Sequence, residues 1–103
     1  MKIDAAWLDT HEWMLRSSDN GVSYGGFKWK RRGAWTKCKK WSATPTCGNG
    51  LHGNAPEAHG YGLDYGTIDL CETRGPRIVI GGDKIKVREA RVVARNADIP
   101  VEA

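Results

Sequence analysis

Between Asn20 and Pro56 the chain has no aspartate and no glutamate. Lys28, Lys30, Arg31, Arg32, Lys37, Lys39 and Lys40 all fall in that gap, so the window carries +7 and the rest of the chain −3. A field this lopsided steers toward an anionic partner more than the net charge of +4 does. Long apolar runs are also missing. Stretches such as Ile78-Val79-Ile80 are far too short to cross a bilayer, and no apolar segment of the secretory kind follows Met1-Lys2-Ile3-Asp4. A cytoplasmic protein with no membrane partner is therefore expected. Cysteine is scarce and odd in number, at Cys38, Cys47 and Cys71, which favours reduced thiols over a disulfide framework. There is no internal repeat, linker or low-complexity tract, and 103 residues suit one domain.

What the chain does have is glycine, concentrated in Thr46-Cys47-Gly48-Asn49-Gly50-Leu51-His52-Gly53. Such a density serves positive φ or the close approach of another group, and it reads as tight-turn geometry more than as strand or helix. Around this centre the pattern is mostly strand-like. Residues 12–17 read as a strand, and Ser18-Asp19-Asn20-Gly21 as a hairpin turn leading to a return strand at 22–29. Lys30-Arg31-Arg32-Gly33 reads as a second turn, and residues 34–41 resume with Trp35, Lys37, Lys39 and Trp41 on one parity. Residues 67–72 alternate as a half-buried strand, 77–80 form another, and Gly81-Gly82-Asp83 turns into a long strand at 84–94. In that last strand Ile85, Val87 and Val93 are expected inside and Lys84, Lys86, Arg88 and Arg91 in water, with a register shift near Glu89-Ala90. Trp7, Leu8 and His11 are spaced for a helical turn that has no convincing cap, and residues 54–61 suit a short helix with Asn54 as N-cap. The expectation is an α+β domain: a small, mostly antiparallel sheet of five to seven short strands with one or two short helices. Residues 1–11 and 96–103 are expected to be loosely packed.

The order of these elements resembles an uncharacterised group of small bacteriophage and prophage proteins. The likeness is carried by Tyr24-Gly25-Gly26-Phe27-Lys28-Trp29, the glycine turn at Gly33, Cys47-Gly48-Asn49-Gly50-Leu51-His52-Gly53, the tyrosine-containing stretch 56–65 and Gly82-Asp83-Lys84-Ile85. It covers residues 12–95. The group has no assigned activity. The resemblance implies a phage setting in an infected bacterial cell, where small accessory proteins often counter host defences, and so an anti-defence or anti-CRISPR role.

Several side-chain sets could carry chemistry. Cys38, Cys47, His52, His59 and Cys71 are metal-ligating types, but their separations of eight, four, six and eleven intervening residues lack the tight pairing of structural zinc sites. No metal and no cofactor is expected. Cys47 and His52 could act as nucleophile and base, yet no third orienting residue is placed by spacing. A buried Cys47 beside a hydrogen-bonded His52 is the simpler reading. Gly50-Leu51-His52 with Tyr61 and Tyr65 is compatible with an ADP-ribosyltransferase-like enzyme, although no glutamate is placed by motif. Gly48, Gly50 and Gly53 lack the lysine and hydroxyl of a phosphate loop. The basic segment is the firmest lead, since cations bind phosphates and exposed rings stack on bases. Trp29, Trp35 and Trp41 can equally form the inner face while the lysines stay wet. The expectation is a non-catalytic protein that binds a host protein or protein–nucleic acid complex through Lys28, Lys30, Arg31, Arg32, Lys37, Lys39, Lys40 and Trp35. The alternative is direct nucleic-acid binding.

Overall fold

The structure, a computed structural model, describes residues 2–18, 30–39, 41–43, 50–54, 67–80, 84–100 and 103. It contains a short helix α1 (Ala5–Thr10) and strands β1 (Trp13–Ser18), β2 (Thr36–Lys37), β3 (Leu51–Gly53), β4 (Thr67–Ile80) and β5 (Lys84–Arg95), followed by a 3-10 turn at Asn96–Asp98. All strand pairs are antiparallel, and β1, β4, β5 and β2 lie in that order, with β3 beside β2 on the same edge of β5.

The sheet closes on itself. Directly after β3, Asn54 bridges β1: the Leu15 N–H donates to the Asn54 carbonyl at 2.6 Å and the Asn54 N–H to the Leu15 carbonyl at 2.7 Å. The path β1–β4–β5–β3 and back to β1 is a small barrel. Its interior is filled by Met14, Leu51, Cys71, Ile85, Val87, Ala90 and Val92, with Cys38 packed against them. Alternation along the strands puts Trp13, Leu15 and Leu70 outside. There they meet Trp7, Leu8, Val93 and Ala94 in a second cluster, joined by Ile3, Ile99 and Ala103. The two ends of the chain, expected to be loose, are thus part of a core. Each fully buried side chain of this size is worth about 1.5–3 kcal/mol.

The helix expected around Trp7 has a cap after all. Asp4 Oδ1 accepts the Trp7 N–H at 3.0 Å, satisfying one of the first-turn donors. The His11 ring then stacks on Trp7 with centroids 4.4 Å apart.

Further expectations need correction. Residues 67–72 and 77–80 belong to one strand, because Gly75-Pro76 opposite Arg88 forms a bulge that absorbs the break. A second offset lies at Val93, which has no partner between the pairs Leu70–Ala94 and Cys71–Val92. Lys86, expected in water, is fully buried. It lies across from Ile78 and His52, with its ammonium 5.6 Å from the centroid of the Trp41 ring. Leu51-His52-Gly53 is a strand and not a turn, and Asn54 bridges to Leu15. Glycine serves here by close approach. A Cβ on Gly53 would lie 2.6 Å from Met14 Sδ and 2.8 Å from the Leu15 carbonyl oxygen, and one on Gly50 would meet the Lys86 stem. The Asn20-Gly21 turn, the return strand at 22–29, the Gly81-Gly82-Asp83 turn and residues 55–61 of the expected helix lie outside the described residues.

Candidate functional site

The basic segment is built on a turn pinned to the sheet. The Ala34 N–H donates to the Arg31 carbonyl at 3.0 Å and Gly33 has φ +90°, the left-handed geometry that a type II turn demands of its third residue. The Gly33 N–H reaches the Val92 carbonyl at 2.8 Å, and Arg32 donates from Nη2 to the Val93 carbonyl at 3.0 Å. Arg32 Nη1 also meets Asp98 at 3.3 Å. The turn is therefore fastened to the irregular part of β5, where the extra residue leaves a carbonyl accessible.

Past the turn the chain alternates as its parity suggests. Thr36 is buried and its Oγ1 accepts the Lys30 N–H at 2.9 Å, while Lys37 points outward. Trp35 shares the outward parity, so it is not a core residue. Its ring carries the Arg74 guanidinium 3.8 Å from the centroid and that of Arg91 at 5.1 Å. Glu89 joins Arg74 at 3.0 Å and Lys37 at 3.6 Å, and Glu72 joins Arg91 at 2.6 Å. The hydrogen bond from Arg74, with smaller help from Lys37, holds the Glu89 carboxyl below the ordinary carboxylate range.

Of the cations expected in the site, Lys30, Arg31 and Lys39 are exposed and form no ion pair among the described residues. Arg32 and Lys37 are engaged by Asp98 and Glu89, acids contributed from elsewhere in the chain. Lys28 and Lys40 lie outside the described residues. Sequence reasoning missed Arg74, Arg91, Glu72 and Glu89. Only the register that sets Lys37 against Glu89, Arg74 against Glu89 and Glu72 against Arg91 brings them beside Trp35.

Among the described residues the other candidate sets do not converge. Cys47, Gly48 and His59 lie outside the described residues. Cys38 and Cys71 face the barrel interior, whereas His52 sits between inward-facing Leu51 and Gly53 and so faces the other way. Among the described residues no group of three His, Cys, Asp or Glu side chains is placed to hold a metal ion.

A polar set that no motif announced lies at one end of the barrel interior. Asp69, fully buried, receives Arg95 Nε at 2.6 Å on one oxygen and lies 3.2 Å from Arg16 Nη2 on the other. Arg16, Asp69 and Arg95 are register partners on three adjacent strands. Burial pulls the Arg16 guanidinium below its ordinary value, and the bond to Asp69 lifts that of Arg95. Both remain charged at neutral pH. Burial also pushes the neighbouring Cys71 thiol up to about 12, which makes it a poor nucleophile.

No helix among the described residues is long and apolar enough to cross a membrane. No protein-family model matches the chain, and no curated protein or solved structure matches it either.

Proposed function

We propose that this chain is a small α+β binding protein without catalytic activity. It acts in the cytoplasm of a bacterial host by docking its basic segment on an acidic surface of a partner protein and so inhibiting the complex that the partner belongs to. The observation that carries the reading is the exposed set Lys30, Arg31 and Lys39, on and near a fastened turn, none of which forms an ion pair among the described residues. Uncompensated cations on a fixed scaffold give steering and specificity toward an acidic patch. Direct nucleic-acid binding is the second reading, favoured by the run of seven cations. It is weakened at Trp35, because a base would need the ring face on which Arg74 lies. The likeness to phage proteins is what points to a host defence complex, a CRISPR complex among them, as the target.

The test is capture from bacterial lysate by the immobilised protein, with and without nuclease, compared with the Lys30→Glu/Arg31→Glu variant. The expected result is a defined protein retained after nuclease treatment and lost on charge reversal. Retention that vanishes with nuclease overturns the protein partner in favour of nucleic acid. Equal retention by the charge-reversed variant overturns the basic face altogether.

A further inference from the structure

The outward face beside the basic segment holds more cation than its own acids neutralise. Lys37, Arg74 and Arg91 surround Trp35, against Glu72 and Glu89. Arg74 directs both Nε and Nη2 to a single oxygen, Glu89 Oε1, at 3.2 and 3.0 Å. Arg91 directs Nε and Nη2 to Glu72 Oε1 at 2.8 and 2.6 Å. Nη1 of each arginine makes no hydrogen bond among the described residues. These are donors in a fixed fork, held in orientation by stacking on an indole.

We propose that Trp35, Arg74 and Arg91 form the carboxylate-reading centre of the docking surface, and that Glu89 is an internal competitor occupying it in the free protein. The occupant is an acidic peptide segment of the protein partner. This rests on the reading above, that the partner is a protein engaged through basic residues. Three features support the centre. The guanidiniums are pre-oriented, so little side-chain freedom is lost on binding. Arg and Trp are the residues that concentrate binding energy in interfaces. Arg74 is 46% exposed, so its pair with Glu89 is a weak, solvent-screened one that an incoming carboxylate can replace. Lys37 shares Glu89 with Arg74, so displacing one carboxylate releases two cations. The same geometry disfavours nucleotide bases, which need an open ring.

The experiment is fluorescence anisotropy at low salt with a labelled oligoglutamate peptide. Removing a unit charge about 4 Å from the binding cations is worth about fivefold in water. Glu89→Gln is therefore expected to tighten binding about fivefold, and Arg74→Gln and Arg91→Gln each to weaken it by a similar factor. Asp9→Asn makes the same change in net charge outside the network and sets the baseline. Arg74→Lys keeps the charge but loses the fork, and it is expected to weaken binding nearly as much as Arg74→Gln. Circular dichroism of each variant confirms that the fold is kept. If Glu89→Gln binds no tighter than Asp9→Asn and the Arg74 variants bind like wild type, while Lys30→Glu/Arg31→Glu still weakens binding, this centre is refuted and the broader reading stands. If wild type and Glu89→Gln both ignore the peptide and charge reversal also leaves lysate capture intact, both fail. Preference for an oligonucleotide over the peptide overturns the choice of occupant.

Discussion

Gly53→Ala is the sharpest probe of how the barrel closes. The new methyl would sit 2.6 Å from Met14 Sδ and 2.8 Å from both Met14 Cγ and the Leu15 carbonyl oxygen, all closer than real Cβ contacts allow. Met14 is fully buried and cannot move aside without disturbing its neighbours. The Leu15 carbonyl is one half of the two-bond bridge to Asn54. Overpacking of this kind costs about 1–3 kcal/mol, and weakening two backbone hydrogen bonds adds about 1 kcal/mol. The expected loss is about 3 kcal/mol, or about 12–24 °C in Tm for a domain of this size. That is a large share of a total of about 5–15 kcal/mol. Urea unfolding followed by tryptophan fluorescence reads it as a shift in midpoint. Gly33→Ala is the comparison, since its added methyl meets nothing within 4 Å and only the φ of +90° is strained. That strain costs about 1–2 kcal/mol. Adding Met14→Ala to Gly53→Ala removes two of the three close contacts, so the pair should be less destabilising than the sum of its parts by about 1 kcal/mol. A Gly53→Ala protein no less stable than Gly33→Ala, with no coupling to Met14, would show that β3 does not approach β1 as described.

Two further outcomes follow from the barrel interior. Asp69→Asn leaves the buried Arg16 facing a neutral amide and should cost about 3–5 kcal/mol in urea unfolding; a cost under about 1 kcal/mol would mean that water or another group carries the charge. The Cys71 thiol lies near 12 in the folded state against an ordinary value of 9.0. The unfolded chain therefore ionises first, and stability present below pH 9 is lost as pH rises toward 12. The loss is about 1 kcal/mol per pH unit within that window. Cys71→Ala should flatten that slope in unfolding curves taken at pH 8, 9 and 10, and an unchanged slope would argue that Cys71 is not the group responsible.

How much of this was legible in the sequence depended on the range of the interaction. Local signals worked where one element decides: the turn at Gly33, the strand around Met14, the long last strand and the shared parity of Trp35 and Lys37. Gly75-Pro76 misled because a proline reads as a strand break, while a bulge with no ladder donor to supply accommodates it. Lys86 misled because one face of β5 was assumed wet. That face of β5 is covered at Lys86 by Gly50, whose missing side chain leaves room for the lysine stem, and by the Trp41 ring, and the stem is apolar enough to be buried there. Gly50 and Gly53 were flagged correctly as special, yet the reason, room for a crossing chain, depends on Met14 and Lys86, dozens of residues away. Arg16, Asp69 and Arg95 carry no local signature at all. They are brought together only by strand register.

The two irregularities in the β4–β5 ladder have a consequence for how this chain can vary. One adds a residue to β5 at Val93, the other adds a residue to β4 at Gly75-Pro76, and between them the offset cancels. Removing Val93 alone would take out the unpaired residue and leave Leu70–Ala94 and Asp69–Arg95 in place, whereas removing a paired residue between the two offsets would slip the register by one and exchange the faces of a strand. Removing Pro76 alone would likewise set Gly75 opposite Arg88 and keep the distal pairs from Ile78–Lys86 to Ile80–Lys84. Single-residue length changes in homologues should therefore collect at the two offsets, near residues 76 and 93, and be excluded from the paired segment between them, where Cys71 to Arg74 face Glu89 to Val92.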